Sequence, residues 1–559
     1  MATTGTTSMP APVFHPTVWG DYFIKFVPEP LQVSDETMAE RIRHLREEVS
    51  GMFQACKNVV DKTNLVDVVQ RLGIDHHFEE QIATALASIH SAGLFNSSSL
   101  HEAALRFRLL RQQGFWVPAD ELVKFIKNED GSFIDGITND PKGLLSLYNA
   151  AHLVTHDEGT TTLEDAIAFA RQHLEAARRC SLKSPLAEQV GRALGIPLPR
   201  TLKREEAIAF IPEYSSQQDQ QVYSPVILEL AKLDFNLLQH LHQEELKEIS
   251  HTYVRTYVLN GRWWKDLSGE IGLGYVRDRI VECYFWSYTV HYERGQARAR
   301  MILAKVFMLT SLLDDTYDVH ATLEEARELN KAIQRWDESD VSLLPEYLKK
   351  FFVKVISNFR EFEDELESHE KYRNVYNIKG FQTLSKHYLQ EAEWFHHGCT
   401  PSFKDQVNVS VITGGAQVLS IGLLVGMGHE ATREAFEWAI GDTDAIWACG
   451  EVSRFMDDMS AFKNGRNKMD VASSVECYIK EHNVPSEVAL ARINSLVEDA
   501  WKTINQAPFK YPALFPVVQR VTSLAKSMTL LFLDKRDAYT YSKDFQTTLE
   551  THFVRHIPL

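Results

Sequence analysis

Met301 to Asp318 reads MILAKVFMLTSLLDDTYD, and the fold follows from this stretch outward. Met301–Leu313 is an apolar stripe with helical periodicity, and it ends abruptly in Asp314-Asp315-Thr316-Tyr317-Asp318. Comparable stripes recur at Leu65–Leu72, Leu100–Leu110, Leu163–Ala177, Val226–Leu246 and Val488–Ile504. Nearer the start, Ser34 stands where an N-cap belongs, and Asp35 and Glu36 suit the positive end of a helix. Met38, Ile42, Leu45, Val49 and Met52 then follow at four-three spacing. Alternating Val/Ile/Thr-rich runs bounded by turns are scarce. The expected fold is all-α.

Size and composition bound the rest. The 559 residues call for at least two domains, and 44% hydrophobic with 24% charged residues is the balance of a globular protein with a large core. Acidic residues outnumber basic ones, 76 to 59, for a net charge of −17. Such a surface repels a phosphate backbone, so no nucleic-acid partner is expected. A phosphorylated small molecule remains compatible if metal ions lie between it and the acids. Cysteines at 56, 180, 283, 399, 449 and 477 form no CxxC pair, which fits reduced thiols in the cytoplasm and neither a disulfide framework nor a zinc site. The first basic residue is Lys25 and no signal-like apolar core precedes it, so no targeting peptide is expected.

Two interruptions organise the chain. Ile196-Pro197-Leu198-Pro199 breaks the helical pattern, and Tyr214 to Gln221 is polar without periodicity. A boundary near residue 222 divides a lead-in at 1–13 and a helical domain at 14–221 from a second helical domain at 222–559. Gln406 to Met427 carries no charge and is long enough to span a membrane. It also holds Gln406, Asn408, Ser410, Thr413, Gln417 and Ser420 with adjacent Gly414 and Gly415. A helix buried within protein is therefore expected there, and no membrane span.

The chemistry concentrates at the end of the opening stretch. On a regular helix Asp314 and Asp318 lie about 40° apart on one face. Three carboxylates closing an apolar helix are costly unless cations neutralise them. Mg²⁺ suits such oxygens and commonly bridges them to phosphate. With 31 aspartates in 559 residues, chance yields about 0.1 DDxxD matches, so the motif alone does not separate a metal site from an exposed acidic helix end. Arg277-Asp278-Arg279 precedes it, and two guanidiniums separated by one residue can fork onto a diphosphate. Their bland alternative is an ion pair with Asp278 or Glu282. Arg454-Phe455-Met456-Asp457-Asp458 offers a further arginine and carboxylate pair, enough for a second metal locus or for a solvated helix face.

Taken together the chain resembles plant class I terpene synthases of the cytosolic sesquiterpene type, over nearly its whole length. Phe14-His15-Pro16-Thr17-Val18-Trp19-Gly20-Asp21 matches their opening motif. Gln70-Arg71-Leu72-Gly73-Ile74, His77-Phe78-Glu79, Leu145 to Ala151, Glu229 to Leu233 with Asn236, and Trp263-Trp264-Lys265 follow in order. Arg277-Asp278-Arg279, Asp314-Asp315-x-x-Asp318 and Asp537-Ala538-Tyr539-Thr540 complete the series. The resemblance implies an N-terminal helical domain without catalytic metal and a C-terminal helical bundle holding three Mg²⁺ ions, for which Mn²⁺ can substitute. It implies that Asp314 and Asp318 bind metal with Asp315 in support, and that Asp457 binds metal at the second motif. By the same resemblance Arg277 and Arg279 draw off the diphosphate, Arg454 binds it, Trp286 lines the cavity wall, and Asp537 and Tyr539 lie near the cavity.

The chain also departs from that pattern. The second metal motif should carry a hydroxyl residue or glycine four positions after Asp457 and a glutamate eight after, and Ala461 and Gly465 stand there. Ser460 and Asn464 lie within about 60° of Asp457 on a regular helix and are substitute oxygens by spacing. Phe532 replaces a usual tyrosine, no arginine precedes Trp19, and no DxDD motif occurs. His76-His77 and His396-His397 lack HExxH spacing and read as ordinary surface or core histidines. GxGxxG, P-loop and GxSxG motifs are absent. The expected function is a cytosolic, monomeric sesquiterpene synthase acting on farnesyl diphosphate. The alternatives are a monoterpene synthase using geranyl diphosphate and a catalytically degraded helical isoprenoid-binding protein.

Overall fold

The computed structural model describes residues 16–27, 34–94, 96–158, 161–180, 182–216, 223–250, 275–441, 443–465 and 472–559. Outside these lie the 1–13 lead-in, Phe14 and His15 of the opening motif, the 222 boundary and Trp263-Trp264-Lys265. The described residues form helices and no strands, apart from one isolated bridge between Lys127 and Phe133. The all-α expectation holds because the apolar positions recur at the helical period. Among the described side chains Cys56, Cys283, Cys399, Cys449 and Cys477 are free thiols.

The chain divides into two compact units. One comprises Pro28–His242, Glu498–Leu530 and Glu550–Leu559; the other comprises Met1–Val27, Gln243–Val497 and Leu531–Leu549. In the first, the Ser34 hydroxyl accepts from the Thr37 N–H at 3.3 Å and caps the helix Asp35–Ala55. Met38, Ile42, Leu45 and Val49 are buried as their spacing predicts. Met52 is only partly buried, and Phe53 takes the inward place. The Pro197–Pro199 interruption ends the helix Leu186–Gly195 and becomes a short 3₁₀ turn.

In the second unit the helix Ala297–Asp315, here the aspartate helix, is apolar on nearly every side and sits in the core. It packs against Ile280–Val290 and Ala416–Val425. The approach is close enough that a Cβ on Gly426 would lie 2.5 Å from Ala299 Cα. The uncharged stretch forms two helices, Phe403–Thr413 and Ala416–Val425, broken at Gly414-Gly415. Gly415 takes φ +82°, which a side chain rarely permits. By length and composition Phe403–Val425 is apolar enough to cross a membrane, at mean hydropathy 1.6, yet 72% of that window is buried within the protein. Gln406, Ser410, Thr413, Gln417 and Ser420 are all buried with it.

Candidate active site

The aspartate helix does not end as a regular helix. Thr316–His320 forms a π turn, so the 40° separation of Asp314 and Asp318 derived from α-helical geometry is corrected. Thr316 Oγ1 donates to the Leu312 carbonyl at 2.7 Å, and the Tyr317 and Ser385 hydroxyls pair at 2.9 Å, which pins the widened turn. Asp315 is buried, Asp314 is partly exposed and Asp318 is exposed. Tyr388 still links the two outer acids. Its hydroxyl donates to the Thr413 carbonyl at 3.1 Å, and burial, then the fields of Asp314 and Asp318, push its pKa well above the usual phenol value.

Arg277 holds this acidic end. Its Nη2 lies 2.6 Å from Asp314 Oδ2 and 2.8 Å from Asp315 Oδ1, and its backbone N–H donates to Asp315 Oδ2 at 2.9 Å. Burial opposes the guanidinium charge, but Asp315 and Asp314 outweigh it and hold the Arg277 pKa well above its ordinary value. Burial raises the Asp315 carboxyl to about 6, against the pull of Arg277. Arg277 thus has ion-pair partners in Asp314 and Asp315.

Arg279 is fully buried and faces backbone. Its Nε and Nη2 donate to the carbonyls of Tyr539 and Thr540, each at 2.8 Å, and Nη1 donates to the Asp278 carbonyl at 2.7 Å. It suspends the segment 531–541. In that segment Asp537 is buried and caps its own turn through the Thr540 N–H at 2.9 Å. Tyr539 donates to Ser311 Oγ at 2.6 Å. Its ring lies 5.2 Å from Trp286, which stacks on Phe307 at 5.0 Å, and 5.2 Å from the Arg277 guanidinium. Trp286 is thus part of an aromatic cluster directly beside the arginine and the aspartate helix.

The second carboxylate pair sits on the helix Asp444–Lys463, here the Arg454 helix. Arg454 pairs with Asp457 and, at 2.7 Å, with Asp458. Asp458 is buried and its Oδ2 accepts from the Ser474 N–H at 2.8 Å, so Asp457 is the more accessible acid. The Gly414-Gly415 break touches both arms. Ideal Cβ positions on Gly415 and Gly414 fall 3.7 Å from Thr310 Cγ2 and 3.9 Å from Ser453 Oγ, respectively. Thr310 is one turn before Asp314, and Ser453 precedes Arg454.

A divalent cation fits the first locus. Its donors are hard carboxylate oxygens, two of them accessible, and the Arg277 guanidinium already supplies positive charge there. The second locus offers less. The helix ends at Lys463, Asn464 caps it, and Gly465 at φ +66° lies beyond the end, so an i+8 ligand position does not exist. Ser460 and Asn464 are hydrogen-bond donors here: Ser460 Oγ to the Arg536 carbonyl and Asn464 Nδ2 to the Lys535 carbonyl, each at 2.6 Å. Both side chains are therefore engaged with the 531–541 segment, and Asp457 is the accessible carboxylate of this motif. Tyr388, Ser311 and Glu391, which accepts from Thr413 Oγ1 at 3.0 Å, were not identified from sequence. Polar residues on an otherwise buried helical stripe were the only available signal.

Two features belong to the other unit. His76, His77 and Asp234 bring three ligand atoms within 4.8 Å of one another, the tightest such group among the described residues. Arg204 lies 3.3 Å from Asp234 Oδ2 and His77 Nε2 lies 2.8 Å from Oδ1, so the acid already has cationic and hydrogen-bonding partners. A 420 Å³ cavity lined by Arg41, Tyr223, Glu229 and Leu559 contains none of the candidate residues.

The acid-rich helix end held by Arg277, beside an aromatic cluster in an all-α unit, is the candidate active site. The chain belongs to the terpene synthase family: residues 18–194 match its N-terminal domain and residues 265–503 its metal-binding domain. It is 98% identical to the tau-cadinol synthase of Zea mays over 559 residues, the whole of both chains. It is 60% identical to the alpha-copaene synthase of the same species over 97% of this chain and 99% of that one. Isoprene synthase from grey poplar leaves, solved with three Mg²⁺ ions and dimethylallyl-S-thiolodiphosphate, superposes with TM-score 0.83 at 28% identity, covering 93% of this chain and 97% of that one.

Proposed function

We propose that this enzyme converts farnesyl diphosphate and water to a sesquiterpene alcohol, tau-cadinol, with release of diphosphate. The near-identity to the maize tau-cadinol synthase supports the substrate and product. The observation that carries the reaction type is the Arg277 guanidinium held between Asp314 and Asp315, with both outer acids acting on Tyr388.

Asp314, Asp318 and Asp457 are proposed to hold Mg²⁺, three ions in all, with Mn²⁺ as an alternative because it shares the preference for oxygen ligands. Bound metal neutralises charge developing on the leaving diphosphate oxygens. Arg277 and Arg454 then exchange carboxylate partners for diphosphate oxygens, which a planar fork can do without losing hydrogen bonds. Arg279 acts by holding the Tyr539–Thr540 backbone in place. Trp286, Phe307 and Tyr539 present aromatic faces that attract the allylic cation. The Tyr539–Ser311 pair is a polar point in an apolar wall, suited to orienting the water whose oxygen ends the cascade; the proton it sheds leaves with the diphosphate.

Purified protein is incubated with farnesyl or geranyl diphosphate, with and without Mg²⁺, and the volatiles are analysed. The expected result is a cadinane-type alcohol from farnesyl diphosphate, dependent on metal. Equal or better turnover of geranyl diphosphate would refute the substrate assignment, and no volatile from either would refute the enzymatic one.

A further inference from the structure

Ala461 and Gly465 stand where the second metal motif would carry its later ligands, and the neighbouring Ser460 and Asn464 grip a loop. Ser460 is fully buried, and its hydroxyl donates to the Arg536 carbonyl at 2.6 Å. The Asn464 amide donates to the Lys535 carbonyl at 2.6 Å. Lys463 Nζ, between them, lies 3.4 Å from Asp534 Oδ1. Consecutive residues of one loop therefore meet consecutive turns at one helix end.

We propose that Ser460 and Asn464 are positioning residues that latch the 531–541 loop onto the C-terminal end of the Arg454 helix. The proposal rests on the terpene synthase reading of the site, since this loop carries Asp537 and Tyr539. Donor direction is the first argument. The Ser460 hydroxyl and the Asn464 amide nitrogen both donate, and the Arg536 and Lys535 carbonyls accept, so each side chain is oriented by the loop. Helix geometry is the second. Asn464 is the C-cap at φ −81°, its N–H bonded to the Ser460 carbonyl at 3.1 Å, so it already lies where the chain turns away from Asp457.

The loop itself is the third argument. Asp534 adopts φ +56°, a costly conformation for a residue with a Cβ, and it persists only if its surroundings hold it. Arg279 grips the far end of the loop at Tyr539 and Thr540. The near end, Lys535 and Arg536, is gripped by the latch. Between the two anchors, Tyr539 is placed against Arg277, Ser311 and Trp286. Ser460 and Asn464, next to the positions where the metal-binding pattern is lost, thus arrange the site through the loop.

The test uses hydrogen exchange of the full-length, metal-free enzyme, read on peptides covering 531–541. Asn464→Ala, Asn464→Asp and Ser460→Ala should each speed exchange there by roughly fivefold, the value of one hydrogen bond. Ser460→Thr keeps the donor and should match wild type. Asn464→Asp separates the two roles, because a carboxylate is a better metal ligand and no donor. The Mg²⁺ concentration that half-saturates inorganic diphosphate binding should not fall in that variant. If Asn464→Ala loosens Ile280–Val290 as well, the Ser460→Ala and Ser460→Thr comparison decides alone. Unchanged exchange in 531–541, or an Asn464→Asp enzyme that needs less Mg²⁺, overturns the latch. Since no turnover is measured, an enzyme inactive on farnesyl diphosphate leaves this result unaffected.

Discussion

Replacing one buried glutamate near the site should make the protein more stable at alkaline pH. Glu282 lies in the first turn of the helix Ile280–Val290 and is 1% exposed. One carboxylate oxygen accepts from the Ser542 hydroxyl, and the other has no hydrogen-bond partner among the described residues. Burial raises its pKa from 4.5 to about 7, against the pull of Arg279. The folded state thus keeps this proton to higher pH than the unfolded chain does. Stability from this group is intact below about pH 4.5, falls as pH rises toward 7, and is level above that. Between pH 5 and pH 8 the loss is about 2–3 kcal/mol, from 1.36 kcal/mol per pKa unit over the interval. Glu282→Gln cannot ionise and keeps an oxygen for Ser542. Urea unfolding followed by far-UV circular dichroism at pH 5 and pH 8 reads the difference. The variant should resemble wild type at pH 5 and exceed it at pH 8. A variant less stable than wild type at pH 8, or one with the same pH slope, would falsify the account, because it would mean that ionised Glu282 is fully compensated in the fold.

Further outcomes follow from the same geometry. Asp314→Ala and Asp318→Ala should abolish product formation while leaving helical circular dichroism intact; activity above about a tenth of wild type, roughly 1.4 kcal/mol of barrier, would remove either from the metal set. Arg277→Ala should weaken Mg²⁺-dependent diphosphate binding, measured by calorimetry, and Arg277→Lys should restore it only in part, since one ammonium cannot bridge Asp314 and Asp315 as a fork does. Unchanged affinity in both would sink the diphosphate role. Gly465→Glu, which would restore the missing motif residue, should not lower the Mg²⁺ requirement and should cost about 1–2 kcal/mol, because position 465 has φ +66° and lies past the helix end. A rate-against-Mg²⁺ curve shifted to lower concentration would show that the helix can extend.

By itself the sequence determined whatever depends on short-range periodicity and residue chemistry. The helical stripes of Asp35–Ala55 and Ala297–Asp315, the Ser34 cap and the acid-rich end with its arginines were all legible, because a helix face and a donor set are local properties. Ordered motifs along the chain were enough for the family. Three matters depended on tertiary contacts. The turn carrying Asp318 widened to a π form where Tyr317 meets Ser385, 68 residues away. Arg277 and Arg279, alike in sequence, diverged because one meets the carboxylates of Asp314 and Asp315 and the other the carbonyls of Tyr539 and Thr540. Ser460 and Asn464, placed beside Asp457 by ideal spacing, became donors to Arg536 and Lys535 once the helix stopped at Lys463. Spacing along a helix says which side chains can converge; which partner each one meets depends on the segment that folds against it, and a buried polar group takes the partner that satisfies it.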